Sequence, residues 1–329
     1  MTRLSDGQVA RLRAACGAAD ELAGRYRIER ELGRGGMGVV YLAFDAQLER
    51  RVAIKTLDVA AVDPRLAARL RREAQLVGAL EHPGIVPVHD LGFDAEGTPY
   101  YVMRYVDGET LEASAATLGG EAARLRLLLR ICEPVAFAHA RGVVHRDLKP
   151  ANVMIGRFGE VWVMDFGLAT LADPTFAARD ADAPSATAGA ARLTEAGAAL
   201  GTPGYRAPEQ EERSSEVTRA ADIYALGCVL AFLLTGRHPA QRGSLDIASL
   251  AAPLRAIART ACAANPAERY GSVTELAADI SRYVDAERVS AYDEPWLAGA
   301  RRWLRRHRFV VALVATYLAL RILFALWQR

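Results

Sequence analysis

The chain has 329 residues, 51% of them hydrophobic and 24% charged, which supplies apolar material for a large core and excludes a disordered chain. Its formal net charge of +2 is uneven: residues 301 to 329 carry seven Arg and no acid, so the first 300 hold 34 basic against 39 acidic side chains, a net of −5, and offer no basic field for nucleic acid. The four cysteines (Cys16, Cys132, Cys228, Cys262) lie far apart in sequence without paired spacing, which argues against a zinc site and a disulfide framework and for a reducing cytoplasm.

The first residues, Met-Thr-Arg-Leu-Ser-Asp, are polar and lack the apolar centre of a signal peptide. Residues 7 to 23 read as a short amphipathic helix with Val9, Leu12 and Cys16 on one stripe, within a peripheral extension over residues 1–25. From Tyr26 the pattern changes. The runs 26–32, 39–43 and 51–57 alternate like antiparallel strands, a helix opens at Asp63-Pro64, and two more strand candidates cover 85–91 and 99–105. After Asp107-Gly108 the chain turns mostly helical, interrupted by a strand pair at 152–155 and 161–164. The expected fold is therefore α+β and two-lobed: a five-stranded antiparallel lobe with one helix over about 26–106, then a larger helical lobe over about 107–287. Residues 172 to 199, rich in Ala, Asp and Thr without apolar periodicity, read as a loop.

Of the 41 basic residues only two are Lys, Lys55 in Val-Ala-Ile-Lys and Lys149 in His-Arg-Asp-Leu-Lys-Pro. An ammonium and a guanidinium differ in volume and in phosphate geometry, so lysines that survive in an Arg-rich chain mark candidate chemistry. Gly33, Gly35 and Gly38 form G-x-G-x-x-G between two strand candidates. A dinucleotide fold needs a helix after this pattern; here a strand follows, so the glycines are expected to cover a nucleotide from above. Glu73 shares the apolar face of its helix with Leu70, Val77 and Leu80. A carboxylate on that face needs a cation, and Lys55 on the neighbouring strand is the candidate. The block His145-Arg146-Asp147-Leu148-Lys149-Pro150-Ala151-Asn152, followed by Asp165-Phe166-Gly167, supplies what phosphoryl transfer asks for: a carboxylate to position a hydroxyl, an ammonium, and oxygen ligands for a divalent cation.

With these motifs, and with Gly201 to Glu209 ending in Ala-Pro-Glu, Asp222 and Arg269, residues 26 to 287 resemble the protein kinase family, specifically the eukaryotic-type Ser/Thr kinases that occur in bacteria. The resemblance implies ATP as phosphoryl donor, Mg²⁺ (with Mn²⁺ as an alternative), protein substrates, and a homodimer for autophosphorylation in trans. It implies that Asp147 accepts the hydroxyl proton, that Lys149 contacts the γ-phosphate, and that Lys55, held by Glu73, contacts the α- and β-phosphates. Asn152 and Asp165 become the metal ligands. The nucleotide is expected against Leu32, Gly33, Arg34, Gly35, Gly36, Met37, Gly38, Val40 and Ala53 above and Met154 below. Met103 is the expected gatekeeper, and the backbone of Arg104 and Val106 the hinge. Glu209 and Arg269 are expected to pair, Asp222 to brace the catalytic loop, and Arg146 to await an anion. Thr194 is the preferred phosphoacceptor over Thr187 and Ser185, with Thr202 a structural contact to Asp147 and Lys149. The Lys149-Pro150 and Gly201-Thr202-Pro203 segments look like the Ser/Thr class.

Three departures stand out: Arg104 occupies a hinge position that is often acidic, the loop from Asp165 to Glu209 is long and Ala-rich, and only 14 residues separate Pro239 from Leu254, a region the family uses to help dock protein substrates. Residues 288–308 read as a basic juxtamembrane linker. Residues 309–327 contain eleven Leu, Ile, Val or Phe, which at about −0.3 to −0.6 kcal/mol each outweigh at most about +3 for Arg321. A single-pass tail anchor in the inner membrane, with the catalytic part in the cytoplasm, is the expectation; a cytoplasmic chain with an interfacial helix is its alternative. The alternatives to an active kinase are a nucleotide-binding scaffold without transfer and a small-molecule phosphotransferase.

Overall fold

The computed structural model describes residues 21–22, 24–35, 38–57, 64–166, 170–171, 204–211, 218–239, 245–294 and 308–327. Gly36, Met37, Gly167, Ser185, Thr187, Thr194, Thr202 and the arginines at 301–306 lie outside them.

Strands β1 (Glu21–Leu22), β2 (Tyr26–Gly35), β3 (Gly38–Asp45), β4 (Arg50–Thr56), β5 (Val88–Phe93) and β6 (Pro99–Arg104) form an antiparallel sheet in the order β1-β2-β3-β4-β6-β5. Five strands were expected. The sixth, β1, pairs Glu21 with Arg27 and Leu22 with Tyr26, so the end of the expected N-terminal helix is instead an edge strand. The fourth expected strand, 85–91, also starts later, because Ile85 makes only a single parallel bridge to Val163.

Strand alternation sorts the sheet into two faces. On the outer face Tyr26, Ala43, Val52, Ile54, Tyr100 and Val102 pack together. On the other, helix α1 (Pro64–Gly78) brings Leu70 and Ala74 against Leu57 and Tyr101. Arg25 reaches the buried Asp45 carboxylate at 2.9 Å and ties the start of β2 to the end of β3.

Strand β7 (Gly108–Thr110) joins the expected hairpin β9 (Val153–Gly156) and β10 (Val161–Val163) in a three-stranded sheet. Sequence pattern missed β7, a three-residue segment carrying no alternation. Gly108 is dictated by that pairing: a Cβ there would stand 2.0 Å from the Ile155 carbonyl oxygen. Helices α2 (Leu111–Ser114) and α3 (Glu121–Ala140) follow, then strand β8 (Val143–Val144), which pairs with β11 (Thr170–Leu171). The large lobe continues with α4 (Pro208–Glu211), α5 (Arg219–Thr235), α6 (Ala252–Ala261) and α7 (Val273–Val284).

Helix α5 is its axis. Thr218 caps its N-terminus through a side-chain bond to the Ala220 amide, and Gly236 ends it in a left-handed conformation with φ of 71°. Every residue from Ala221 to Leu233 is buried, including Asp222, as a helix packed on all sides must be. Helices α3 and α6 pack against it, α7 packs on both of them, and all share one core with Phe166, Tyr205 and Leu148.

One sequence expectation is revised, and one close approach carried no sequence signal. The large lobe does not end at 287: Val289 is 3% exposed, and Ser290 and Ala291 bond to Asp279 of α7. Cys228 and Cys262, 34 residues apart in sequence, stand with their sulfurs 3.8 Å apart because α5 and the end of α6 cross there; both are free thiols.

The last helix, α8 (Arg308–Trp327), covers the segment read as a membrane span. Among the described residues no helix is long and apolar enough to cross a membrane. Arg308 at its start and Arg321 within it are the charges that work against insertion.

Candidate active site

The register β3–β4–β6 aligns Val40 with Lys55 and Lys55 with Tyr101, and Ala53 with Met103, so these side chains share the inner sheet face. Gly38 is required by the fold: its φ is 146°, and a Cβ would meet the Thr56 carbonyl oxygen at 2.0 Å. At Gly33 and Gly35 a Cβ would meet nothing within 4 Å. Among the described residues no packing demands glycine at either position, and none stands over them. Arg34 between them donates to Glu31 at 2.9 Å. Leu32 is 36% exposed, Ala53 is buried, and Val40 and Met154 are half-buried.

Lys55 is buried with its Nζ 2.7 Å from Glu73 Oε1 and 2.8 Å from Asp165 Oδ1. Burial alone would lower the ammonium's pKa; the charges around it, Asp165 and Glu73 among them, outweigh that cost and hold it well above its usual value. Burial would likewise raise Asp165, but the Lys55 ammonium keeps its carboxyl below the usual range. The Asp165 side chain is 43% exposed while that of Glu73 is 2% exposed. One carboxylate is thus structural in its setting, and the other opens toward the cleft.

The segment 145–152 is fixed from three sides. Below it, Asp222 Oδ2 accepts from the His145 amide at 2.8 Å and contacts His139 Nε2 at 2.7 Å, and Oδ1 accepts from the Arg146 amide at 2.8 Å. Burial opposes the Asp222 charge, yet the His139 bond and its companions hold its pKa below the ordinary value. Beside it, the Gln210 side chain donates from Nε2 to the Arg146 carbonyl at 2.9 Å. Toward the cleft, His145 Nε2 lies 3.1 Å from the Met164 carbonyl and its ring 4.5 Å from that of Phe166. Arg146 and Asp165 both adopt positive φ, 69° and 65°. Such backbone strain in non-glycine residues persists only where the surroundings impose it, and it gathers at functional sites. The Arg146 guanidinium is partly desolvated, which lowers its pKa.

Within this loop Lys149 Nζ donates to Asp147 Oδ2 at 2.7 Å, and Asn152 Nδ2 donates to the Asp147 carbonyl at 2.7 Å. The Asn152 carbonyl in turn accepts from the Met164 amide at 3.0 Å, so the loop and the run-up to Asp165 are joined. Asn152 and Asp165 each carry a side-chain oxygen on these joined segments. Among the described residues no group of three or more His, Cys, Asp or Glu could hold a metal alone. That donor set fits a hard divalent ion completed by phosphate oxygens, as Mg²⁺ prefers.

Met103 is half-buried at the back of the cleft and Val106 is buried. The Arg104 amide donates to the Pro87 carbonyl at 3.1 Å, and its guanidinium lies 4.7 Å from the Trp162 ring centroid, so the departure at this position is used for stacking across to β10. Arg269, with a fully buried guanidinium, grips Glu209 through two bonds of 2.7 and 2.8 Å and also reaches the Ala220 carbonyl.

Four participants escaped sequence reasoning: Tyr101, whose hydroxyl donates to Glu73 at 2.7 Å; His139 under Asp222; the His145–Phe166 stack; and Trp162. Only Tyr101 carried a readable signal, since it shares strand parity with Met103.

A cleft with these elements, in this order along a β lobe and a helical lobe, defines a nucleotide-dependent phosphotransferase fold. The protein kinase domain model matches residues 26–294, and the chain belongs to that family. It is similar to serine/threonine-protein kinase PknD of Protochlamydia amoebophila, 36% identical over an alignment 295 residues long that covers 79% of this chain and 30% of that one. It is likewise similar to serine/threonine-protein kinase PknB of Mycobacterium tuberculosis, 38% identical over an alignment 289 residues long that covers 81% of this chain and 44% of that one. The chain thus spans less than half the length of either relative. Among solved structures, the crystal structure of the Mycobacterium tuberculosis PknI kinase domain superposes with a TM-score of 0.58 at 28% identity, covering 81% of this chain and 98% of that one.

Proposed function

We propose that the chain is a Ser/Thr protein kinase that transfers the γ-phosphoryl group of ATP to protein hydroxyls. The observation that carries this reading is Lys55 Nζ at hydrogen-bond distance from both Glu73 and Asp165, in a cleft where no described residue stands over Gly33 or Gly35. Phosphoryl transfer depends mostly on positioning and electrostatics, and the Lys–Glu pair is one of its requirements.

In this reading Lys55, held by Glu73, meets the α- and β-phosphates, while Leu32, Val40, Ala53 and Met154 enclose the base and the Arg104–Val106 backbone binds its edge. Asp147 orients the acceptor hydroxyl and takes its proton. Lys149, already 2.7 Å from Asp147 Oδ2, neutralises charge on the transferring group. Asn152 and Asp165 would hold a divalent ion, which would neutralise phosphate charge. The segment 26–294 is the catalytic unit, and Thr194 is the acceptor for autophosphorylation, in trans within a transient homodimer. The tail 308–327 attaches the chain to the inner membrane, with the catalytic unit in the cytoplasm; the support is its run of apolar residues behind a cluster of arginines.

The test is radiolabelled ATP with the full chain and Asp147→Asn, using a generic protein acceptor and then mapping the sites. Label on Ser and Thr from the wild type, reduced at least a hundredfold in Asp147→Asn, is the expected result. Nucleotide binding without label in either protein would make the chain a scaffold and overturn the reading.

A further inference from the structure

Tyr101 has no place in the transfer roles above, yet it stands among the groups that perform them. It faces Lys55 across the β4–β6 register and is 3% exposed. Its hydroxyl donates to Glu73 Oε1 at 2.7 Å, the same oxygen that accepts from Lys55 at 2.7 Å, and the ammonium lies 5.9 Å from the centre of its ring. Glu73 Oε2 has no hydrogen-bond partner among the described residues. Glu73 is therefore held through one oxygen by two donors from neighbouring strands.

The two donors are not equivalent. Lys55 is shared, with its second bond on Asp165 at 2.8 Å. A phosphate entering the cleft competes for the ammonium, and a cation competes for Asp165, so the Lys55 end is the one that ligands pull on. The phenol is buried, and its one hydrogen bond among the described residues is to Glu73. A hydrogen bond to an ionised carboxylate is roughly twice as strong as a neutral one, and here it lies in a buried setting where a lost donor is costly. Burial also drives the phenol's pKa well above its usual value, so the donor keeps its proton.

We infer that Tyr101 is a positioning residue for nucleotide: it holds Glu73, and with it α1, in the inward position while Lys55 turns from Asp165 to the phosphates. The inference rests on the kinase reading for the identity of the ligand. A phenylalanine would fill the same space and pack the same core, but would leave Glu73 to a lysine whose attention is divided.

The experiment measures the dissociation constant of a fluorescent ATP analogue with Mg²⁺, and KM and kcat for ATP, on the full chain and on Tyr101→Phe. The expected result is a dissociation constant and KM about fivefold higher, kcat within about twofold, and a Tm within about 2 °C of wild type. In a Lys55→Met background the Tyr101→Phe change should add no further loss of binding, because what the hydroxyl positions is already gone. Unchanged binding in Tyr101→Phe, or an equal loss with and without Lys55, overturns the inference. So does a lower Tm with binding intact, which would make the hydroxyl a packing element only. A wild-type chain that binds nucleotide but labels no protein fails the proposed function and leaves this test valid; one that binds no nucleotide overturns both.

Discussion

Asp279 and Ser290 are joined twice, by the Ser290 amide on Oδ1 and the Ser290 hydroxyl on Oδ2, each at 2.8 Å. The same carboxylate, fully buried, also accepts from Tyr270, Arg282 and the Ala291 amide. A single side chain on α7 thus closes the large lobe over the segment that leads out of it. A chain ending at Arg288 loses Val289, Ser290 and Ala291, and leaves this carboxylate with two of its five donors. Its Tm should fall about 5 °C or more below that of a chain ending at Glu294, from about 2 kcal/mol of lost bonds and apolar burial. Equal melting of the two would show that the segment only rests on the lobe.

The buried carboxylates set the acid limit of stability. Burial pushes Asp279 and Asp222 up, but their hydrogen bonds prevail, and both sit below the ordinary value of 3.8. A depressed folded pKa gives stability that is fully present above the unfolded value and is lost as pH falls through the folded one. Urea midpoints should therefore hold from neutral pH down to about 5 and drop below about 4. Asp279→Asn should be less stable at pH 7 and show a shallower drop below pH 4. A parallel curve would locate acid sensitivity elsewhere.

Substitution of either lysine by arginine tests whether the ammonium is needed. The Lys55 side chain is 8% exposed between two carboxylates, and that of Lys149 is 16% exposed against Asp147, so a wider planar guanidinium has no room at the first and the wrong reach at the second. Lys55→Arg and Lys149→Arg should each lower turnover at least about tenfold, equivalent to about 1.4 kcal/mol of transition-state stabilisation. Full activity of both would reduce the scarcity of lysine to a bias in composition.

The Glu209–Arg269 pair should be far more costly to break than to remove. Arg269→Ala strands Glu209 and several carbonyl oxygens, at about 3–5 kcal/mol; Arg269→Met with Glu209→Gln should recover a measurable part of it. Chemical denaturation of the singles and the double gives the coupling. Strict additivity would mean that the two residues act independently.

Membrane attachment is checked by flotation of the full chain beside a chain ending at Glu294, both expressed in bacteria. The full chain should float with vesicles and be released from them by alkaline carbonate, as a helix lying at the interface is, and the shorter one should remain in solution. Failure of the full chain to float would overturn the attachment.

Much of the site was readable in the chain because its motifs are local. Helical spacing alone put Glu73 on the face of α1 that carries Leu70 and Val77, and the family resemblance put Lys55 and Ala53 against the nucleotide. Asp147, Lys149 and Asn152 fall within six residues of one another and could hardly be far apart in space. The boundaries fared less well. Residues 21–22 became a strand and not a helix end because pairing with β2 satisfies backbone groups that a short exposed helix cannot satisfy internally.

The sequence by itself determined the class of the protein and the identity of its candidate catalytic groups, since those depend on residue types at short spacings. The tertiary structure decided which of them meet across long separations. Lys55 with Asp165, His139 with Asp222, Tyr101 with Glu73 and Arg269 with Glu209 are separated by 110, 83, 28 and 60 positions. No periodicity encodes such contacts. They exist because burying two sheet faces and the all-round apolar α5 leaves these polar groups facing one another inside, where each must find its partner or not be buried at all.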